Sequence, residues 1–490
     1  MFKSWIEKNP QLVILLLFAV SICVRVITAE YVDIGGDNVW RWTSARDLLE
    51  VGEYQEWTHH NMRWAIMIPL WGLMEVLGTN PVVYYIMPIL VASIGTVFFF
   101  LIGRQLHSAT FGVVAALLII VFPQMVQTGS QNWPSVFQFT FIAIAVWSVL
   151  SWHEKQRSSL LFLAAVFFFF SWGARTSAVY YFPGVLLLLW LPGRNYRAAL
   201  IFCLVVGFCL IGEWLFFWLD TGNAFGRLGI IKNATFAVSS TSTHDYFFNF
   251  LKLKKLRGLL PIFILTAVAS VVFLRNKDYR LRALAWFHLI FLFLFLYMVS
   301  SFNPIRLAQP IGTRYWCAIA PFGLLLLLLC LYELGERFPR VSHSLIMILF
   351  AAFIAFSVKK IPATNYILQV NNDYKVLAPV FSENSPVLLR WEPWKPNWIE
   401  SKLSHLFKVK RKRKADPNDV HMAMKRGIMR ALGLFAPDTD QFYNYKTGEL
   451  IQKDELSYVF VPAGVSRELS PGAEIIFDRK GAQAKPLPVQ

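Results

Sequence analysis

The stretch of residues 11–29, QLVILLLFAVSICVRVITA, decides the fold class of this chain. It contains one charged residue, Arg25, and it is close to the roughly 20 apolar residues that a helix needs to cross the hydrocarbon core of a bilayer. Lys3 and Lys8 precede it, but the run is longer than the apolar core of a typical signal peptide. We therefore expect an uncleaved first transmembrane helix.

The composition of the whole chain agrees with that expectation. Of the 490 residues, 56% are hydrophobic and 16% are charged, a balance that excludes an ordinary soluble protein. The net charge is +17, but Lys and Arg lie mostly in short loops and in the C-terminal part, where lipid phosphates are the expected counter-charge. No nucleic-acid-binding module is recognisable, so nucleic acid is not expected as a partner. The five cysteines lie within apolar runs, which predicts neither a disulfide nor a cysteine metal site.

Further apolar runs predict an all-α polytopic membrane protein with about eleven transmembrane helices. The predicted helices cover residues 11–29, 82–103, 109–127, 134–151, 158–173, 177–192, 198–219, 259–274, 284–301, 314–333 and 343–358. Lys and Arg fall in alternate short loops, which by the positive-inside rule places the N-terminus in the cytoplasm and the C-terminus outside.

This topology divides the chain into a transmembrane domain, residues 1–358, and an exoplasmic C-terminal domain, residues 359–490. Two large outer loops interrupt the transmembrane domain, at residues 30–81 and 220–258. Because short inner loops leave little room for chemistry, we expect the functional residues in these outer segments.

The C-terminal part has the composition of a small soluble α+β domain. Strand-like runs lie at residues 385–391 and 457–461, and a helical pattern covers residues 420–434. The basic run at residues 408–414 is interpreted either as a solvated patch that contacts lipid headgroups or as a binding surface for an anionic acceptor.

The first outer loop carries an acidic residue at the start of a helical pattern. From residue 38 to residue 51, apolar residues recur every three or four positions, which predicts an amphipathic helix lying at the membrane interface. Asp37 stands at the N-terminus of this helix, where its carboxylate either caps the helix or acts as a general base or metal ligand. The roles are compatible, because a capped carboxylate is also a well-oriented one. Asp33 is the second acidic candidate.

The end of the same loop, residues 58–77, is polar first and then apolar, and it is too short to span the bilayer. It predicts an interfacial or re-entrant helix. His59 and His60 are considered as substrate-binding or metal-binding residues, although adjacent histidines face different sides of a helix and no third ligand follows. Arg63 either extends from apolar surface to water or binds a phosphate.

Two charged side chains are predicted within the membrane. Glu213 lies about two turns from the outer end of its helix, a depth at which an acid is costly unless it faces a cavity or a partner. We interpret it either as a site residue or as a carboxylate wetted at a tryptophan-rich interface. Arg25 has a similar depth, and we expect it to pair with Glu213 or to extend outward.

The second outer loop ends in a basic cluster of Lys252, Lys254, Lys255 and Arg257. Beside a membrane helix, such a cluster is either a stripe that binds lipid headgroups or a site that captures the phosphate of a lipid-borne substrate.

The first outer loop resembles a motif of the GT-C membrane glycosyltransferases, in particular of the protein-mannosyltransferase-like and lipid A aminoarabinose or galacturonic acid transferase group. The motif residues in this chain are Asp37, Ala45, Arg46, Leu48, Leu49, Gly52 and Tyr54. Later features are also similar to these families: Pro134 opens a helix after an outer loop, Arg175 lies in a short outer turn, and Arg314-Tyr315 precedes the tenth helix. Where many relatives have Asp-Glu, this chain has Asp37-Asn38.

The resemblance implies transfer of a sugar from a polyprenyl-phosphate carrier to a lipid, glycan or protein acceptor such as lipid A on the outer face, with inversion at the anomeric carbon and Asp37 as the base. A divalent cation is a candidate cofactor. Because this chain has Asp37-Asn38 where many relatives have Asp-Glu, its metal dependence stays open. Cations that stabilise the departing phosphate are also required, and Arg63, Arg175, Arg314 and the basic cluster of the second outer loop are expected to supply them. Tyr315 is interpreted either as an interfacial anchor or as a substrate-binding residue. The absence of cysteines from the outer segments favours a bacterial inner membrane, with the site and the C-terminal domain in the periplasm.

Two other functions compete with this interpretation. A lipid-linked glycan flippase or transporter would also use many helices, but the predicted charges concentrate at the outer rim and no inverted pair of broken helices is evident. A polysaccharide polymerase or ligase would use the same carriers, but would depend more on arginines in large outer loops than on an acid after the first helix.

Overall fold

The structure is a computed structural model of the chain. It describes residues 2–30, 41–42, 44–46, 48–49, 52, 57–58, 60–79, 81–191, 195–229, 260–297, 299–302, 305–307, 315–358, 367–368, 387–389, 458–462, 475–478 and 481–484. Most of these residues are helical.

The helices in this part of the chain are numbered here in chain order. They are α1 Phe2–Lys8, α2 Pro10–Ile27, α3 Trp64–Leu77, α4 Pro81–Leu106, α5 Ala109–Val121, α6 Pro123–Thr128, α7 Pro134–Lys155, α8 Ser158–Ala174, α9 Phe182–Trp190, α10 Tyr196–Thr221, α11 Leu260–Phe273, α12 Tyr279–Tyr297, α13 Trp316–Arg337 and α14 Pro339–Val358. A 3-10 helix, Thr176–Tyr181, joins α8 to α9. Among the described residues, six helices (α2, α4, α7, α10, α12 and α14) are long and apolar enough to cross a membrane. The chain is therefore an integral membrane protein.

A helix lies at each of the eleven segments that were predicted to span the bilayer, with ends shifted by a few residues. That all eleven cross the membrane stays a prediction, because several of them, such as α5 and α11, are shorter than a full span. A helix, α3, lies where an interfacial or re-entrant helix was predicted; it contains Pro69 and ends before Gly78 at φ +79°. Its position relative to the membrane stays a prediction.

Two predicted spans are interrupted near prolines. The predicted helix 109–127 is broken at Phe122, which adopts ψ 121° because the residue before a proline, here Pro123, is disfavoured in the helical region. The predicted helix 177–192 begins instead as the 3-10 helix that precedes Pro183.

The predicted helix 284–301 was also too long at its C-terminal end. Helix α12 ends at Tyr297, and a short antiparallel hairpin follows, formed by β1 (Val299–Phe302) and β2 (Ile305–Leu307). Val299 is β-branched and the residues after it are polar, so this sequence favours extended backbone over a further helical turn.

Helix α7 forms the centre of the bundle. In its most apolar window 89% of the residues are buried, compared with 17% in α10 and in α14, which leave large apolar side chains exposed for contact with lipid. Helices α4 and α5 approach closely where Gly103 meets Gly112, since a Cβ on Gly103 would lie 2.8 Å from the Cα of Gly112. Small residues at a crossing commonly allow such close packing in membrane bundles.

The chain separates into two compact units. The first comprises residues 1–28, 57–66 and 88–361, and it contains most of the helices. The second comprises residues 29–56, 67–87 and 362–490.

In the second unit, the described residues of the first outer loop between 41 and 49 are helical, as predicted. Among them, Arg41 and Arg46 are buried together with Trp42 and Ala45. The edge of Trp42 packs on Tyr84 at a centroid distance of 5.9 Å, which supplies the apolar surface that this helix covers.

The second unit also contains a four-stranded sheet in the order β3 (Val387–Leu389), β4 (Tyr458–Pro462), β5 (Ile475–Asp478) and β6 (Gly481–Ala484). The first two pairs are parallel and the last is antiparallel. Strands β3 and β4 fall on the two strand-like runs seen in the sequence, whereas the predicted helix at residues 420–434 lies outside the described residues. A separate C-terminal domain stays a prediction.

Candidate functional site

Five of the sequence-predicted site residues lie within the described part of the chain: His60, Arg63, Arg175, Glu213 and Tyr315. The others lie outside the described residues and keep the status of predictions. They are Asp33, Asp37, His59, Lys252, Lys254, Lys255 and Arg314.

Arg175 and Tyr315, far apart in sequence, are in contact in the structure. Arg175 follows the last residue of helix α8 in extended conformation, which turns its side chain away from the helix axis. Its guanidinium carbon lies 3.8 Å from the centroid of the Tyr315 ring, a cation–π contact, and its Nη1 donates to Ser135 Oγ at 3.2 Å. Tyr315 immediately precedes helix α13, is 7% exposed and packs edge-on against Phe295.

The position of Arg175 follows from the local sequence. Ala174 ends α8 and Thr176 begins the 3-10 helix, so Arg175 occupies the turn between two helical segments. Ser135 stands in the first turn of α7, after Pro134, at the same end of the bundle. The site therefore joins the end of α8 to the starts of α7 and α13.

Arg25 is a second guanidinium at this end of the bundle, and the expectation for it was wrong. It neither pairs with Glu213 nor extends outward, because it is fully buried and its Nη1 donates to the carbonyl of Ile120 at 3.2 Å. That carbonyl is among the last of helix α5, where a cation compensates the partial negative charge of the helix end. Within the described part of the chain, the Nε and Nη2 atoms of Arg25 have no hydrogen-bond partner. Gly129 leaves room for the side chain, since a Cβ there would lie 2.6 Å from Arg25 Nε.

Cys317, in the first turn of α13, lies within electrostatic range of both Arg25 and Arg175. Its Sγ is 2.8 Å from Thr128 Oγ1, at the end of α6. The two guanidinium groups therefore belong to one positively charged region around the start of α13.

Glu213 is the second charged residue that the sequence placed inside the membrane, and its partner is Arg227. Glu213 Oε1 accepts hydrogen bonds from Arg227 Nη1 at 2.8 Å and from Trp64 Nε1 at 2.5 Å, and Oε2 accepts one from Trp172 Nε1. The side chains of Glu213 and Arg227 are only 7% and 4% exposed. We call these four residues the Glu213 cluster. Glu213 thus accepts three hydrogen bonds from protein donors, and its role as a site residue stays a prediction.

Sequence reasoning missed Arg227. It lies just beyond α10 in the second outer loop, and it also donates to the carbonyls of Trp172 and Gly173 at the end of α8, at 3.1 and 3.0 Å. Burial lowers the pKa of Arg227, while the charge and the hydrogen bond of Glu213 act in the opposite direction. The available signal was Glu213 itself, since a buried acid requires a cationic partner close by.

The segment before α3 forms a compact turn. The Thr58 N–H donates to Asn61 Oδ1 at 2.7 Å, and the N–H groups of His60 and Asn61 donate to Thr58 Oγ1. Arg63 follows this turn and is half-buried directly before the first residue of α3. The His60 backbone therefore belongs to this turn.

A second group of charged side chains, around Arg280, lies at the C-terminal ends of helices α4 and α7. Arg280 Nη1 donates to the Gln105 carbonyl at 3.0 Å and lies 3.9 Å from Glu154, while its Nη2 binds Asp278 at 2.9 Å. Burial alone would raise the pKa of Asp278, but its hydrogen bonds with Arg280 and the backbone lower it. The ends of α4 and α7 and the start of α12 thus lie at one end of the first unit, in agreement with the charge alternation that predicted them on one side.

No group of three or more His, Cys, Asp or Glu side chains capable of holding a metal ion occurs among the described residues. Both acidic residues proposed as metal ligands, Asp33 and Asp37, lie outside them. Metal use is therefore still a sequence-based prediction.

A comparison with protein-family models gives a match over less than half of the chain. The family model of the dolichyl-phosphate-mannose-protein mannosyltransferases matches residues 65–216, and the predicted resemblance to GT-C glycosyltransferases is confirmed. The match covers most of α3, helices α4 to α9 and most of α10, and it includes Arg175 and two of the four residues of the Glu213 cluster, Trp172 and Glu213.

Among solved structures, the fold is similar to that of ArnT from Cupriavidus metallidurans bound to undecaprenyl phosphate, with a TM-score of 0.50 and 13% sequence identity over 86% of this chain and 76% of ArnT. The oligosaccharyltransferase of Archaeoglobus fulgidus in the apo form gives a TM-score of 0.43 at 13% identity, over 94% of this chain but only 63% of its own length. No curated protein sequence matches this chain.

Proposed function

We propose that this protein transfers a sugar from a polyprenyl-phosphate-linked donor to an acceptor on the outer face of the membrane. The observation that carries the proposal is the contact between Arg175 and Tyr315, beside Ser135. Helix α8 ends there, and helices α7 and α13 begin there. A guanidinium is planar and permanently charged, and it binds phosphate oxygens through paired N–H groups. An arginine held at a helix end near the membrane boundary suits the phosphate of a lipid-borne donor.

The proposed chemistry is a single displacement. A carboxylate removes the proton from the acceptor hydroxyl, and that oxygen attacks the anomeric carbon from the side opposite the carrier. The bond between the anomeric carbon and the phosphate oxygen breaks, and its electron pair leaves with the polyprenyl phosphate, so the anomeric configuration inverts. The positive charge of Arg175 stabilises the phosphate as it departs.

Asp37 is proposed as the base on the strength of the sequence motif alone. Arg63, Arg314 and the cluster of Lys252, Lys254 and Lys255 are proposed as further cations on the same grounds, and Asp33 as a second acidic contact. The proposed acceptor is a lipid such as lipid A, a glycan or a protein, in the periplasm of a bacterium.

A divalent cation is proposed as an optional cofactor that would neutralise phosphate charge beside the acidic residues of the first outer loop. Removal of metal with a chelator tests this point separately. If activity survives chelation and the purified protein contains no stoichiometric divalent metal, the arginines and lysines supply the positive charge by themselves.

The central test is the consumption of lipid donors by purified protein in lipid nanodiscs. Wild-type protein and the Asp37→Ala and Arg175→Ala variants are incubated with a panel of polyprenyl-phosphate sugars and a membrane-lipid extract, and the loss of each donor is followed by mass spectrometry. We expect the wild type to consume at least one donor and both variants to lose most of that activity.

Consumption of no donor by the wild type would overturn the assignment as a glycosyltransferase. Activity that survives Asp37→Ala would overturn the role of Asp37 as the base. Movement of an intact lipid-linked sugar across sealed vesicles, with the sugar still attached, would instead support the flippase alternative.

A further inference from the structure

We propose that residues 57–64 form a strap that Glu213 and Asp220 hold against helix α10, and that this strap positions Arg63 for the phosphate of the lipid donor. Arg63 lies on the strap between Trp57 and Trp64, the two residues that the carboxylates hold. The inference rests on the proposed function, because Arg63 is one of the cations assigned there to the carrier phosphate.

Two hydrogen bonds, each from an indole N–H group to a carboxylate, hold the strap. Trp57 Nε1 donates to Asp220 Oδ2, and Trp64 Nε1 donates to Glu213 Oε1 at 2.5 Å. Glu213 and Asp220 are about two helical turns apart on α10 and so lie on the same face. The two tryptophans have the same separation in sequence. The strap therefore runs alongside the helix and is fastened at both of its ends.

Each indole ring also packs against aromatic side chains. Trp57 contacts Phe217 of α10 at a centroid distance of 5.0 Å, and Trp64 contacts Phe169 of α8 at 4.7 Å. A Cβ on Gly173 would lie 2.3 Å from Trp64 Cζ2, so the indole lies directly on that glycine. Ring packing and a charged acceptor together define one orientation of each indole, which a tryptophan that only anchors a membrane interface does not require.

The strap is also braced between its two ends. The Thr58–Asn61 turn closes through the Thr58 N–H bond to Asn61 Oδ1 at 2.7 Å, and the Met62 N–H donates to the Thr58 carbonyl at 3.2 Å. With Trp64 fixed at the next position, the backbone of Arg63 has little freedom left. A cation held in place before the ligand arrives loses less conformational entropy on binding, which strengthens that binding.

Glu213 therefore acts through Arg63 and is a positioning residue. Its carboxylate is occupied by Arg227, Trp64 and Trp172, so its contribution is to hold the strap. Arg227 balances the buried charge and links the cluster to the end of α8.

The test removes the indole N–H groups and keeps the rings. Trp57→Phe and Trp64→Phe are measured in the full-length protein in nanodiscs, with Trp71→Phe as a matched control, because Trp71 lies on α3 and is 37% exposed. Two quantities are followed: the kinetic constants for the polyprenyl-phosphate sugar, and hydrogen–deuterium exchange of the backbone amides in residues 58–66.

We expect each strap variant to speed exchange in residues 58–66 and to raise the donor KM by about tenfold, the ratio that corresponds to the loss of one hydrogen bond to a charged group, with kcat little changed. Trp71→Phe should change neither quantity. Glu213→Gln keeps an acceptor oxygen and should raise the KM less than Glu213→Leu does.

Faster exchange with an unchanged donor KM would overturn the positioning role and leave the strap as part of the fold alone. Unchanged exchange in both strap variants would overturn the strap itself. If wild-type protein consumes no polyprenyl-phosphate sugar, the proposed function fails, and with it the role of Arg63. The exchange measurement still decides independently whether the carboxylates hold residues 57–64.

Discussion

At the scale of single residues, Arg227 and Arg25 differ in the groups that compensate their positive charge. Arg227 forms a buried ion pair with Glu213. Arg25 donates one hydrogen bond to a helix-end carbonyl, and two of its nitrogen atoms have no partner among the residues that the structure describes. A guanidinium already neutralised by a carboxylate attracts a phosphate less than one held by carbonyl, hydroxyl or ring groups. The Glu213 cluster is therefore poorly suited to bind an anion.

Substitution of Arg175 tests the positive region around the start of α13. Arg175→Ala should raise the KM for the lipid donor by at least about tenfold, because it removes a charge-assisted contact with the phosphate. Arg175→Lys keeps the charge but loses the planar group that lies over Tyr315, so its KM should fall between those of the wild type and the alanine variant.

The matched control for this series is Arg157→Ala, which alters an exposed arginine at the start of α8, the opposite end of the helix that Arg175 follows. Its donor KM should equal that of the wild type. Equal effects of Arg157→Ala and Arg175→Ala would show that overall charge, and not the site, determines donor binding.

Gly173 offers a test of the Glu213 cluster that leaves every charged group in place. Gly173→Ala adds a methyl group where the indole of Trp64 lies, and overpacking of this kind typically costs about 1–3 kcal/mol. We expect a lower unfolding midpoint and faster amide exchange in residues 58–66. Gly207→Ala on α10 is the control, since nothing lies within 4 Å of a Cβ there. Equal midpoints for the two variants would contradict the close packing of Trp64 on α8.

At the scale of helices, polar side chains link neighbouring helices at both ends of the bundle, with a different set of residues at each end. At one end, indole N–H groups and Arg227 meet the carboxylate of Glu213, and at the other Arg280 joins Gln105, Glu154 and Asp278. Helix ends expose carbonyl groups without intrahelical partners, so arginines that reach across to a neighbouring helix satisfy those groups and fix the packing.

The Asp278–Arg280 bond predicts a pH dependence of stability. Because the folded state lowers the pKa of Asp278, the bond stabilises the protein above the unfolded pKa, and this contribution is lost as the pH falls through the folded value. The loss is therefore expected below about pH 4, where an ordinary aspartate titrates. Asp278→Asn should have a lower unfolding midpoint at neutral pH and a weaker further decline in acid. An acid decline equal to that of wild type would contradict this role, and Glu75→Gln, at an exposed carboxylate, is the control.

At the scale of the whole molecule, the charge alternation makes a specific prediction of topology. Reporter fusions that are active only outside the cytoplasm should be active after residues 229 and 358 and inactive after residues 8 and 276. This pattern follows from eleven spans with the N-terminus inside. Equal activity after residues 276 and 358 would contradict it, because an even number of spans would then separate those two positions.

Hydropathy was sufficient to predict where the helices lie, because the bilayer requires long apolar runs with internally satisfied backbone. It could not predict the break at Phe122 or the hairpin after Tyr297, since both depend on local backbone preferences inside apolar sequence. The family resemblance singled out Arg175 and Tyr315 separately, but the contact between them was not predicted. The partner of Glu213 was missed, because pairing between a helix and a loop depends on three-dimensional packing that a hydropathy profile does not contain.

The central claim is that the anomeric bond of a polyprenyl-phosphate sugar is broken by this protein. The most direct measurement is the release of free polyprenyl phosphate from a donor with an isotopically labelled sugar, in nanodiscs that contain wild-type protein or the Asp37→Asn variant. We predict that wild type releases one polyprenyl phosphate for each labelled sugar found in an acceptor, and that Asp37→Asn releases almost none. Absence of release by the wild type across the donor panel, or equal release by the variant, would contradict the account.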